Sequence, residues 1–132
     1  GLCLGEAFKQ SGLSQSIASA LSGVENLPTI GVLVGICLLV TFLTEMTSNT
    51  ATTNLLMPIL GAAAVSANLD PKLLMIPAAL SASCAFMLPV ATIPNAIVFG
   101  TGKISVKRMA TEGFVLNLIG AGVVTGVIYF LL

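Results

Sequence analysis

Thr44-Glu45-Met46-Thr47-Ser48-Asn49-Thr50-Ala51-Thr52-Thr53-Asn54 is the stretch on which the fold turns. Eight of its eleven side chains are hydroxyls or amides, and it holds a single carboxylate. On one side lies a strongly apolar run over 28–46, richest from Ile30 to Leu43; on the other, a second apolar run goes from Leu55 to about Ala67. A surface loop usually carries charge, Gly and Pro. This one is polar and almost uncharged, a composition that suits a protein interior that is partly wet.

The composition of the whole chain says what surrounds that tip. Of 132 residues, 56% are hydrophobic and 8% charged, against roughly 25% charged in an average soluble domain. No charge lies between Glu25 and Glu45, between Glu45 and Asp70, between Lys72 and Lys103, or after Glu112. Each gap reaches the roughly 20 residues that a helix needs to cross a bilayer. Five Lys and Arg balance five Asp and Glu, which leaves no field for a nucleic acid. The absence of His excludes a His-dependent catalytic or zinc site. A membrane protein remains. Gly1-Leu2-Cys3, with no starting Met, reads as the beginning of a piece of something longer.

Working outward from the tip, the two arms read as two full spans or as a hairpin that dips into the membrane and returns; the uncharged tip favours the re-entrant hairpin, over 27–68. Residues 1–26, where Glu6, Lys9, Gln10, Ser14 and Gln15 alternate with apolar residues, read as an interfacial helix. Asn68-Leu69-Asp70-Pro71 is a turn, and Pro71 opens the next helix. Over 71–102 an apolar stretch, helical through residue 88, is interrupted by Pro89-Val90-Ala91-Thr92-Ile93-Pro94-Asn95 and resumes from Ala96 to Gly100. A last helix covers 107–132, with Gly113, Gly120, Gly122 and Gly126 as small-residue packing faces. The basic cluster Lys103, Lys107 and Arg108 places its loop in the cytoplasm and the C-terminus outside. Cys3, Cys37 and Cys84 are small hydrophobes in helix packing.

Irregular backbone at membrane depth is tolerated only where protein buries it or where it lines a cavity. Two interruptions in one short chain therefore suggest a site between them, as interrupted apolar segments do in transporters. Ser48 or Asn49 can cap the second arm, whose free N–H groups favour an anion. Carbonyls ending the first arm, with Thr44 and Thr47, favour a hard cation, and the break at Ala91–Asn95 adds carbonyls and the Asn95 amide. Oxygen ligands alone suit an alkali or alkaline-earth ion. Glu45 is either a coupling group or a tip residue bonded to backbone amides, and the structural role is preferred.

The tip Thr44 to Thr52 resembles the Ser-Asn-Thr hairpin signature of the divalent anion:sodium symporters, the sodium-coupled di- and tricarboxylate transporters. Ser83-Cys84-Ala85-Phe86-Met87-Leu88-Pro89-Val90-Ala91-Thr92, followed by Pro94-Asn95-Ala96-Ile97-Val98-Phe99-Gly100, is similar to the signature near the C-terminus of that family. The resemblance covers the chain as the C-terminal third of such a transporter. It implies an all-α membrane fold, with a re-entrant hairpin and a broken helix from one of two inverted repeats. It implies an elevator movement of a transport domain (27–132 here) against a scaffold whose end is 1–26, and a homodimer. Substrate carboxylates map onto Ser48, Asn49 and Thr50, with Ile93 and Pro94 beside them; Ile93 stands where the family often has a proline. Sodium maps onto Thr44, Thr47, Asn49, Ala91 and Asn95. The other half of the site belongs to an N-terminal repeat outside this chain, so the chain alone would not transport.

The expected function is thus sodium-coupled transport of succinate, malate, fumarate or citrate across the plasma membrane, among membrane lipids. The alternatives are transport of sulfate or another oxyanion, proton coupling, or a structural membrane module. An enzyme is least favoured, because no buried Ser has an activating base.

Overall fold

The computed structural model describes residues 28–131 of the chain, so the expected arm over 1–26 lies outside the described residues. These form five helices: α1 Thr29–Met46, α2 Asn49–Ser66, α3 Pro71–Ser81, α4 Ile93–Gly100 and α5 Val106–Leu131. There is no strand among the described residues.

Each start and stop has a local cause. Pro28 stands just ahead of α1, and its carbonyl takes the Gly31 N–H at 2.7 Å. Thr47 and Ser48 are extended and make the sharp joint between α1 and α2. Ser48 caps α2 by accepting the Ala51 N–H at 3.1 Å. At the other end of α2, Asn68 takes a φ of 54°. That left-handed residue lets Leu69 N–H reach Ala64 O at 2.9 Å and Asn68 N–H reach Val65 O at 3.1 Å, the paired bonds that close a helix around one such residue. Asp70 caps α3 through the Lys72 N–H at 2.9 Å, and Pro71 fills the first helical position.

The arms of the hairpin pack less on each other than on α3. That helix meets both α1 and α2, and α5 lies along α1 and α3. The core is built from Val40 of α1, Leu60 and Ala64 of α2, and Leu74, Ala78 and Ala82 of α3 and its end. The arms also differ in character. Two helices, α1 and α5, are long and apolar enough to cross a membrane, and α2 is not among them. Its first turns carry Thr50, Thr52, Thr53 and Asn54. α5 buries a single stripe, Gly113, Asn117, Ala121, Thr125 and Ile128, while Val115, Leu116, Ile119, Val123 and Phe130 are exposed. A helix apolar beyond its packed stripe belongs in a membrane. α4 buries none of its residues.

The break begins earlier than the sequence suggests. Helix α3 stops at Ser81, not at residue 88, and helix resumes at Ile93, not at Ala96. Pro89 accounts for part of this, since its ring conflicts with a helical carbonyl at residue 85 and disfavours helix at Leu88. The remainder is tertiary and belongs to the site described next. The later restart is local: Thr92 accepts the Asn95 N–H at 3.3 Å, and Pro94 lies in the first turn of α4, where its missing N–H costs nothing.

Candidate functional site at the hairpin tip and helix break

Glu45 is the hub. It is the next-to-last residue of α1 and only 3% exposed. Its Oε1 accepts the Phe86 N–H at 2.7 Å, the Met87 N–H at 2.9 Å and the Asn117 Nδ2 at 2.8 Å. Its Oε2 accepts the Leu88 N–H at 3.0 Å. In a helix the N–H groups of 86–88 would bond to the carbonyls of 82–84; here one carboxylate takes all three. This is the tertiary cause of the early end of α3. A carboxylate at the bilayer centre costs about 2.5–3.5 kcal/mol. Hydrogen bonds to a charged group contribute about 1.5–3 kcal/mol each, so four of them offset that cost. Of the two roles read for Glu45, the geometry is that of the tip residue bonded to backbone amides. All four of its hydrogen-bond partners are donors.

The opposite side of the break is held by Asn95. Its Nδ2 donates to Ala85 O at 2.9 Å and to Leu88 O at 3.0 Å. Two carbonyl acceptors fix the orientation of this amide, because turning it over would set oxygen against oxygen.

Thr44, one residue before Glu45, joins the tip to the end of α3. Its fully buried Oγ1 lies 2.7 Å from Asn49 Oδ1 and 2.8 Å from Ala82 O. One buried hydroxyl thus ties the start of α2 to the end of α3. Thr47 Oγ1 donates to Leu43 O at 3.0 Å or shares a hydrogen bond with the buried Thr52 hydroxyl.

Of the residues expected to hold a cation, Thr44 and Asn49 are therefore in contact, Thr47 sits on the same turn, and Asn95 braces the break. Ala91 closes a local turn on Leu88 O at 3.2 Å. Among the described residues no hydrogen bond ties it to the tip. Of those expected at the substrate, Ser48 and Thr50 are exposed at the start of α2, with Asn49 half-buried between them. Ile93 and Pro94 are exposed at the start of α4, Ile93 at 78%. No group of three or more His, Cys, Asp or Glu that could hold a metal occurs among the described residues, so any cation here would be held by hydroxyl, amide and carbonyl oxygens.

Two important residues escape a reading that follows the polar tip and the prolines. Asn117 is fully buried in α5; besides bonding Glu45, it offers Oδ1 to the Phe86 N–H at 3.3 Å. Its signal was present, as a lone amide in an apolar run that follows Glu112. Gly113, one turn earlier, was noticed only as one of four small residues. A Cβ there would run into Phe86 O and lie 2.6 Å from Met87 Cα. At Gly120 the nearest atom is Cys84 Sγ at 3.5 Å, and among the described residues Gly122 and Gly126 have nothing within 4 Å. Within the described residues the close packing is at Gly113 and Gly120.

Comparison with known proteins gives the family. The family model for the sodium:sulfate symporter transmembrane region matches residues 1–131. A sodium-dependent dicarboxylate transporter, SdcS, of Staphylococcus saprophyticus is 49% identical over 131 residues, 99% of this chain and 25% of the relative. The SdcS transporter of Staphylococcus aureus strain MRSA252 is 46% identical over 132 residues, 100% of this chain and 25% of the relative. The chain thus spans about a quarter of the length of these relatives. They are named as transporters, not enzymes. The chain, with two candidate spans among its described residues and matched over nearly its whole length by one family model, belongs to the sodium:sulfate symporter family of membrane transporters.

Proposed function

We propose that this chain supplies the second half of the site of a sodium-coupled dicarboxylate transporter. The observation that carries the reading is the junction at Thr44. Its buried Oγ1 lies 2.7 Å from Asn49 Oδ1 and 2.8 Å from Ala82 O, a cluster of neutral oxygens where tip and break meet. Such a cluster of neutral oxygens gains from a hard monovalent cation. Sodium, a cargo of the cycle, is held by Thr44, Thr47, Asn49 and the Ala91 carbonyl, with Asn95 fixing the break beside it. Substrate carboxylates bind at Ser48, Asn49 and Thr50, against Ile93 and Pro94.

The order of events follows from differential binding. Sodium between tip and break orders the tip and offsets substrate charge; the loaded transport domain, 27–132, then moves against the scaffold. Each excess positive charge carried couples about 2.3 kcal/mol per 100 mV of membrane potential. The hairpin enters from outside and the Lys103–Arg108 loop is cytoplasmic. The working unit is a homodimer in the plasma membrane, each protomer completed by its N-terminal repeat.

Uptake of labelled succinate by the full-length transporter in liposomes tests this. We expect uptake in sodium and none with potassium or a proton gradient alone, with malate and fumarate competing. The family description names sulfate, which makes an oxyanion the specific rival. Competition by sulfate but not by dicarboxylates would replace the substrate while leaving the sodium reading intact.

A further inference from the structure

We infer that α5 belongs to the working site, with Gly113 and Asn117 acting as positioning residues for the helix break although neither lies among the proposed ion or substrate ligands. The inference rests on the sodium reading for its effect on affinity, and on geometry alone for its effect on the break.

The N–H groups of Phe86, Met87 and Leu88 bond no backbone carbonyl, so the shape of this stretch is imposed by side chains around it. On one side Asn95 bridges Ala85 O and Leu88 O. On the other, three positions of α5, spaced four and three residues apart, meet the break in order. Gly113 lies under Phe86 O and Met87 Cα, Asn117 bonds the Phe86 N–H, and Gly120 faces Cys84. The contact at Gly113 is backbone against helix, and a Cβ there meets the Phe86 carbonyl with no flexible side chain to push aside.

Asn117 does two things at once. Its Nδ2 holds Glu45 Oε1 at 2.8 Å, and its Oδ1 shares the Phe86 N–H that the same Oε1 accepts. Without that amide, Glu45 keeps three backbone donors but loses the group that aims it. Leu88, the last residue of the grip, is three residues from Ala91. A shift at Phe86 therefore reaches the carbonyl proposed to face sodium. α5 carries no ligand of its own in this scheme, yet it sets where the ligands stand.

The test uses the full-length transporter with Asn117→Ala, Asn117→Asp, Gly113→Ala and, on an open face of the same helix, Gly122→Ala. Sodium half-saturation and maximal rate are measured separately, per molecule of monodisperse reconstituted protein. Asn117→Ala is expected to raise sodium half-saturation roughly tenfold, the size of one charge-assisted hydrogen bond, with a smaller change in maximal rate. Asn117→Asp, which sets a second carboxylate against Glu45, raises it further. Gly122→Ala leaves it unchanged. Amide hydrogen exchange at Phe86–Leu88 reads the same device without reference to cargo: protection falls in Asn117→Ala and holds in Gly122→Ala. If Gly113→Ala fails to fold, the Asn117 variants decide. Unchanged half-saturation together with unchanged exchange in Asn117→Ala would overturn the inference. Lost protection in a protein whose parent shows no sodium dependence would uphold the positioning role and overturn the sodium reading instead.

Discussion

The hairpin tip and the helix break are both short joints between apolar helices, and they are held in opposite ways. The tip closes itself. Ser48 caps its own helix, Thr47 bonds Leu43 one turn back, and Thr53 bonds Asn49 O at 2.8 Å. The break leaves the N–H groups of Phe86, Met87 and Leu88 without a local acceptor. Its N–H groups are taken by Glu45, 41 to 43 residues earlier in the chain, and by Asn117, 31 residues later. A locally closed joint tolerates the loss of one bond. A joint held by a remote carboxylate loses several bonds at once. The contrast also divides the labour: the tip offers side chains, and the break offers backbone whose position is set by others.

The contrast is broken most sharply at Glu45. Glu45→Ala leaves the N–H groups of Met87 and Leu88 and the Asn117 Nδ2 unpaired, each at about 1–3 kcal/mol, and leaves the Phe86 N–H only its 3.3 Å bond to Asn117 Oδ1. Thermal unfolding of the full-length protein in detergent is expected to show the largest loss of any tip or break substitution, to the point of poor recovery. A midpoint within a degree or two of the parent would mean that the break is held by its own sequence. Gly113→Ala comes next, at about 1–3 kcal/mol for overpacking against rigid backbone. Gly122→Ala has open space around it and is expected to have the opposite sign, since Ala is favoured over Gly in a helix interior by up to about 1 kcal/mol. Equal effects from the two glycines would remove the close approach at Phe86 from the account.

Local capping predicts a smaller effect. Ser48→Ala is expected to cost about 1 kcal/mol, with Ser48→Asp restoring the stability of the helix start. The smallest effect belongs to buried hydroxyls outside both joints. Among the described residues Thr125 Oγ1 has no hydrogen-bond partner, so Thr125→Val is expected to be neutral or slightly stabilising in the same unfolding measurement. A clear loss there would reveal a partner for that hydroxyl and extend the polar site along α5.

The same contrast explains what could be read from the amino-acid order. Features with local causes were legible: the uncharged tip between apolar arms, Ser48 as a cap, Asp70-Pro71 as a helix start, and Pro94 near the beginning of α4. The membrane setting followed from charge-free gaps alone. The position of the break was not legible, because the prolines mark where helix is difficult, whereas Glu45 decides where helix ends. Nothing near Phe86 in the sequence announces a carboxylate donated from residue 45. Asn117 was in plain view as an amide in an apolar run, but its role depends on which helix face meets the break, and spacing alone does not specify that.

The proposal that tip and break form one site is tested most directly at Asn49, which touches Thr44 and is assigned to both sodium and substrate. The measurement is sodium-dependent succinate uptake by the full-length transporter carrying Asn49→Ala, at equal amounts of folded protein. The account predicts that uptake falls to the potassium background and that raising sodium does not restore it. Uptake at the parent level, with unchanged sodium dependence, would contradict it and leave the hairpin tip as a structural joint.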